Sequence, residues 1–121
     1  MATTKAVTVL FDSVALVAAA GDQTSAAVNL TDGFGGIASV KLTNGGTGPT
    51  VAAKVQLQES PDNSNWYSFG GPLTGSVTSS VVRSWAIDIP IGVLYLRAVA
   101  GSNTGQNVTV RVEMAEVTAV A

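Results

Sequence analysis

The sequence predicts an all-β fold: a single β-sandwich of jelly-roll or immunoglobulin-like type, with seven to nine strands over residues 1–121. Three observations predict it. Apolar and polar residues alternate with a period of two in one segment after another, the pattern of strands with one buried face. Clusters of Gly, Asn, Asp and Ser interrupt these segments about every ten residues, as turns do in sandwiches and barrels. The clearest single unit, residues 51–69, has the form of a β-hairpin. Val51, Ala53, Val55 and Leu57 alternate with Ala52, Lys54, Gln56 and Gln58; Ser60 to Asn65 gathers backbone-bending residues; Trp66, Tyr67 and Phe69 restart an aromatic strand.

The other elements follow in order. Residues 1–4 are small and polar and are expected to form a loose N-terminal arm. Ala6 to Phe11 reads as a first strand with Val7, Val9 and Phe11 on one side. Asp12-Ser13 suits a turn or a helix cap, and Val14 to Ala20 a strand that frays into a loop. Ala26 to Leu30 is a short strand with Val28 and Leu30 inward. The glycine-rich stretch 31–36 is a loop whose Phe34 is expected to tuck onto the core. Ile37 to Asn44 puts Ala38, Val40 and Leu42 on one face and Ser39, Lys41 and Thr43 on the other. After the hairpin, Leu73 to Ser80 is a loop or weak edge strand. Val81 to Ile89 aligns Val81, Arg83, Trp85, Ile87 and Ile89, and Pro90 stops it because it lacks a ladder donor. Val93 to Ala100 is apolar on both parities, as a central strand would be. Asn107 to Val117 closes the chain with Val108, Val110, Val112 and Met114 inward. No Pro/Ser linker divides the chain, and its length suits one domain.

Composition excludes most chemistry. There is no His and no Cys, so Ser-His-Asp and Cys-His catalysis and ordinary zinc sites are ruled out. The acidic residues are scattered, with no facing pair of the kind glycosidases need. No phosphate-cradling Gly-x-x-x-x-Gly-Lys occurs. The six basic residues are spread singly, which argues against nucleic-acid binding. No apolar run approaches the ~20 residues of a membrane span. No enzyme activity, cofactor or metal is therefore expected. Only 12% of residues are charged, with a net charge of −2. A surface built from Ser, Thr, Asn, Gln, Gly and Ala is poorly protected against association, and charge depletion is a property of interface cores.

Several residues invite a functional reading, each beside a plainer one. Asp62-Asn63-Ser64-Asn65 offers oxygen ligands for calcium; one carboxylate is few for that, and a turn in which Asp62 and Asn65 bond their own backbone is favoured. Trp66, Tyr67, Phe69, Trp85 and Tyr95 can form a sugar-binding platform or simply the sandwich core. Arg83 and Arg97 lie in apolar strands, as rim residues paired with Asp88 or Glu59 or as interface anchors. If surface loops make contacts, Thr31–Gly36 with Phe34 and Ser60–Asn65 with Asp62, Asn63 and Asn65 are the candidates.

The run Gln56-Leu57-Gln58-Glu59-Ser60-Pro61-Asp62-Asn63-Ser64-Asn65-Trp66 resembles a segment recurrent in small all-β proteins of tailed bacteriophages, which carry Val/Ile-Gln-x-Ser-Pro-Asp-Gly-x-x-Trp. In those proteins a (Tyr)-Val/Leu-Arg-x-Val strand follows, then a Gly/Thr-rich turn and a closing strand; Tyr95-Leu96-Arg97-Ala98-Val99 and Gly101 to Val110 are similar in that order. The likeness covers residues 26–112 and departs at Asn63, where the usual residue is Gly. It implies a non-enzymatic virion structural protein made in the host bacterial cytoplasm. The most concrete role it implies is a capsid decoration or cement protein on the capsid surface, commonly a trimer. The partners would be the major capsid protein and copies of the chain itself. Other implied places are tail, collar or fibre base; a carbohydrate-binding module with a glycan partner is the alternative outside the virion.

Overall fold

A computed structural model describes residues 3–120. It contains two antiparallel sheets packed face to face, formed by ten strands: β1 Thr3–Leu16, β2 Gln23–Thr24, β3 Val28–Asn29, β4 Gly36–Asn44, β5 Lys54–Ser60, β6 Tyr67–Ser68, β7 Leu73–Thr74, β8 Val82–Ile89, β9 Tyr95–Gly101 and β10 Val108–Val120. The count exceeds the seven to nine expected because four of the strands are two residues long; β3, β6 and β7 fall within segments read as short or weak strands, whereas β2 is too short for alternation to reveal. Residues 1–2 of the expected loose arm lie outside the described residues; Thr3 and Thr4 belong to β1, opposite Val120 and Ala119.

One sheet has the order β1-β10-β4-β8 and the other β2-β9-β5-β6, with β3 also on β9 and β7 also on β5. Treating β2/β3 and β6/β7 as single positions gives eight, in spatial order 1-8-3-6 and 2-7-4-5. The chain crosses between sheets at every connection outside those two positions and the β5–β6 turn. This is the double Greek key of a jelly roll, and it decides between the two sandwich types left open by the sequence.

Between the sheets lie Val40, Leu42, Val110, Val112 and Met114 from the first and Val55, Leu57, Leu96, Ala98 and Ala100 from the second, all buried. The alternation seen in β4, β5, β9 and β10 places these side chains as expected. β10 lies between β1 and β4, so its Thr109, Arg111 and Glu113 share the outer face with Lys41 and Ser39.

The first strand differs from its sequence reading. β1 is continuous through Asp12-Ser13, where register shifts fall between Val9 and Phe11 and between Phe11 and Val14. Ser13 adopts a positive φ of 52°, and no turn or helix cap forms. An extra residue in one strand reverses its parity. Phe11 therefore enters the core while Val7 and Val9, expected on the same side, remain in solvent.

Two buried asparagines lie at one end of the sandwich, where β1 and β4 end and β10 begins. Asn44 donates through Nδ2 to the carbonyls of Ser76 (2.7 Å) and Thr78 (2.8 Å), tethering the β7–β8 connection. Asn103 donates to the carbonyls of Leu16 and Gln106, each at 2.9 Å.

Candidate functional site

The topology gathers three connections at one end of the sandwich. β4 begins at Gly36 beside Ile89, where β8 ends, and β5 ends at Ser60 beside Tyr95, where β9 begins. The β3–β4, β5–β6 and β8–β9 connections therefore emerge together. Two of them are the loops singled out in the sequence, 31–36 and 60–65. The Phe34–Gly35 backbone packs on the β8–β9 turn: a Cβ on Gly35, whose φ is +76°, would overlap the Ile89 carbonyl and lie 3.1 Å from the Ile91 nitrogen. Phe34 donates its N–H to Val117 at 2.8 Å. Backbone fills this space, so the ring does not tuck inward as expected and Phe34 is 47% exposed. On the adjoining turn Ile91 is 62% exposed. The sequence reading missed Ile91, whose place after Pro90 in a turn was the available signal.

The hairpin tip is held by its own residues. Asp62 Oδ1 accepts from the amides of Ser64 (2.9 Å) and Asn65 (2.8 Å) and from Ser60 Oγ (3.0 Å), and Oδ2 accepts from Asn65 Nδ2 (2.6 Å). Asn63 takes the left-handed conformation, φ 60°, that the resemblance assigns to Gly; Asn tolerates it. Both carboxylate oxygens are thus engaged in an Asx-type turn, the reading favoured over calcium. The Asn65 amide first, then the Ser64 amide, hold the Asp62 carboxyl well below the usual carboxylate range. A depressed folded-state value stabilises the fold above the ordinary carboxylate pKa, and that contribution is lost as pH falls below about 4. Asp62→Asn should therefore flatten the acid limb of thermal stability, read by melting curves from neutral pH down to strongly acidic buffer. An unchanged acid limb would mean the turn is held by other groups.

Trp66 lies on the outer face of the second sheet, half-buried, and is no part of the core. The Arg97 guanidinium stacks 4.1 Å from its ring centroid and donates through Nε to Gln58 Oε1 at 2.7 Å. Gln58 and Arg97 are cross-strand partners on β5 and β9. The Trp and Arg of the two segments that carried the phage resemblance therefore form one latch. The outer-face residues of β9, Tyr95, Arg97 and Val99, are half-buried. Such a stack is worth about 0.5–1 kcal/mol. A double-mutant cycle of Trp66→Ala and Arg97→Ala should return a coupling of about that size by chemical denaturation, and a value of zero would show the stack to be energetically idle.

Arg83 lies elsewhere, on β8 opposite Leu42. It lines an open cleft of about 480 Å³ with Pro72, Leu73, Thr74, Ser84 and Trp85. Neither Arg83 nor Arg97 makes the expected ion pair with Asp88 or Glu59 among the described residues. The ion pairs there belong to Arg111, with Glu113 (Nε to Oε1, 2.8 Å) and with Asp12 across the β1 bulge. The fold thus brings Phe34 and the Asp62–Asn65 turn to one end, sets Arg97 on the second sheet under Trp66, and leaves Arg83 on the β8 edge. The proposed aromatic platform is likewise dispersed: Trp85 sits on the inward parity of β8, beside Val40, while Trp66 is on the opposite sheet. Among the described residues no three His, Cys, Asp or Glu side chains converge as metal ligands, and no helix is long and apolar enough to cross a membrane.

No family model and no curated protein matches this chain. Among solved structures, a chain from the structure of the infectious bursal disease virus Gx strain has a similar fold. The TM-score is 0.58 at 12% identity, over 94% of this chain and 32% of that one. This chain thus spans about a third of its structural neighbour's length, and what the two demonstrably share is the sandwich fold.

Proposed function

We propose that this chain is a non-enzymatic structural component of a virus particle. The observation that carries the reading is the fold itself: nearly the whole chain superposes on part of a chain from a virus structure, and its strand order is the jelly roll that viral capsid domains use. A fold alone does not name a function. The sequence supplies the second support, a weakly charged surface without catalytic groups.

The more specific role is a decoration or cement protein on the capsid of a tailed bacteriophage, bracing the lattice of the major capsid protein. The Gln56–Trp66 and Tyr95–Val99 likeness supports it. Contact falls on the end carrying Phe34 and Ile91: both are large, apolar and exposed, and the turns beneath them are fixed by close backbone packing. The hairpin tip beside them adds polar groups at the rim. Bracing a lattice requires many weak, simultaneous contacts, and avidity across repeated sites supplies the affinity.

Purified chain should bind assembled particles at a fixed number of copies and bind dissociated coat subunits much more weakly. Phe34→Asp with Ile91→Asp should reduce that binding by at least tenfold while leaving the melting temperature within a few degrees, because both positions are exposed. Equal binding by the double variant would move the contact away from this end. Failure of the parent chain to bind particles would remove the decoration role.

A further inference from the structure

The edges of the two sheets are protected unequally. The second sheet ends in β2/β3 on one side and β6/β7 on the other, each a two-residue strand, and Gly70-Gly71-Pro72 interrupts the latter pair. In the first sheet β8 carries exposed Arg83 and Asp88 and is followed by Pro90. Short strands, charges and proline are the usual guards against strand-to-strand association. The C-terminal half of β1 is guarded too, by its bulges and by Asp12.

Lys5–Val9 of β1, bounded by an irregularity at Thr4/Lys5 and by those after Val9, has within it none of these devices beyond Lys5 itself. It runs without a register shift opposite Val117, Glu116, Ala115, Met114 and Glu113 of β10. Among the described residues nothing pairs with its other edge. It contains no Gly or Pro, and Val7 and Val9, both β-branched, are 62% and 42% exposed. They lie on the outer face, in cross-strand rows: Val7 with Ala115 and Ile37, Val9 with Glu113 and Ser39.

We propose that Lys5–Val9 pairs antiparallel with the same segment of a second copy of this chain, across a two-fold axis at Val7. The segment is self-complementary in that register. Val7 meets Val7 of the second copy, and Lys5 meets Val9, whose cross-strand neighbour on the same face is Glu113. Each Lys5 therefore lies across a valine from the Glu113 carboxylate, one oxygen of which Arg111 already engages, twice by symmetry. Parallel pairing in register would instead oppose Lys5 to Lys5, which is unfavourable. The two first sheets become one eight-stranded sheet, and the rows of Val7, Ala115 and Ile37 from both copies join into a single apolar band. The contact is two-fold, unlike the trimer implied by the phage resemblance. It rests on edge geometry alone, so its failure would leave the proposed virion role untouched.

The chain lacks cysteine, so an introduced one reports cleanly. Residues on the axis of an antiparallel pair have Cα atoms about 4.5–5.5 Å apart, within disulfide range. Under mild oxidation Val7→Cys should form a covalent dimer, while Ser84→Cys, exposed on the guarded β8 edge, stays monomeric. By sedimentation equilibrium the unmodified chain should be a dimer. Val7→Lys should raise its dissociation constant roughly tenfold or more while leaving the far-UV circular dichroism spectrum unchanged. A chain that is monomeric at its solubility limit would overturn the proposal. So would Ser84→Cys cross-linking as readily as Val7→Cys, or an oligomer indifferent to Val7→Lys.

Discussion

Leu96→Ala should cost about 3–5 kcal/mol of folding stability, measured by urea or guanidinium denaturation. Leu96 is completely buried, at the start of the strand against which β3 and β5 both pair. Its neighbours belong to a cross-linked ladder on either side and have little freedom to collapse into the void, which puts the site toward the upper part of the range for such truncations. A domain of this size has about 5–15 kcal/mol in total, so the variant would retain only a marginal fold. Val77→Ala, at an exposed position in the β7–β8 connection, is the control and should stay within about 0.5 kcal/mol. Equal effects at the two positions would refute the placement of Leu96 in the core.

Asn103→Ala should cost about 2–4 kcal/mol by the same measurement, since one or two buried carbonyls lose their donor. The Asn103 side chain joins the end of β1, through Leu16, to the β9–β10 connection, through Gln106, and its own carbonyl accepts the Ala19 amide at 2.9 Å. It is one of very few buried polar side chains. Asn103→Asp should be worse, because it turns the donor toward both carbonyls into an acceptor. A neutral outcome for both would show that water satisfies Leu16 and Gln106.

What the sequence could and could not say follows from the range of the forces involved. Alternation is local, and β4, β5, β8 and β10 are legible because each strand has one covered face, while β9 is legible as a run apolar on both parities. β1 was misread because a bulge leaves little trace in composition beyond the polar Asp12-Ser13 pair. The choice of jelly roll over immunoglobulin-like packing depends on which distant strands pair, such as β1 with β10, and no local pattern carries that. Trp66 shows the same limit at the level of a side chain. Alternation says that Trp66 and Tyr67 point to opposite faces, but only the placement of Arg97 thirty-odd residues away determines that Trp66 lies outside, under a cation. Phe34 was expected in the core because it is large and apolar; the close approach of Gly35 to the β8–β9 turn left it no room. The six residues singled out from sequence fall in three places: the end with Phe34 and the Asp62–Asn65 turn, Arg97 under Trp66, and Arg83 on the β8 edge; Asp62 and Arg97 have their polar groups largely engaged within the chain.

The central claim is that this jelly roll serves as a repeated building piece on a virus particle. Cryo-electron microscopy of intact particles tests it most directly. The expected result is symmetric density on the outer capsid surface that fits this sandwich at many copies, with the Phe34 and Ile91 end facing the underlying lattice. A well-resolved particle with no density of this shape would contradict it.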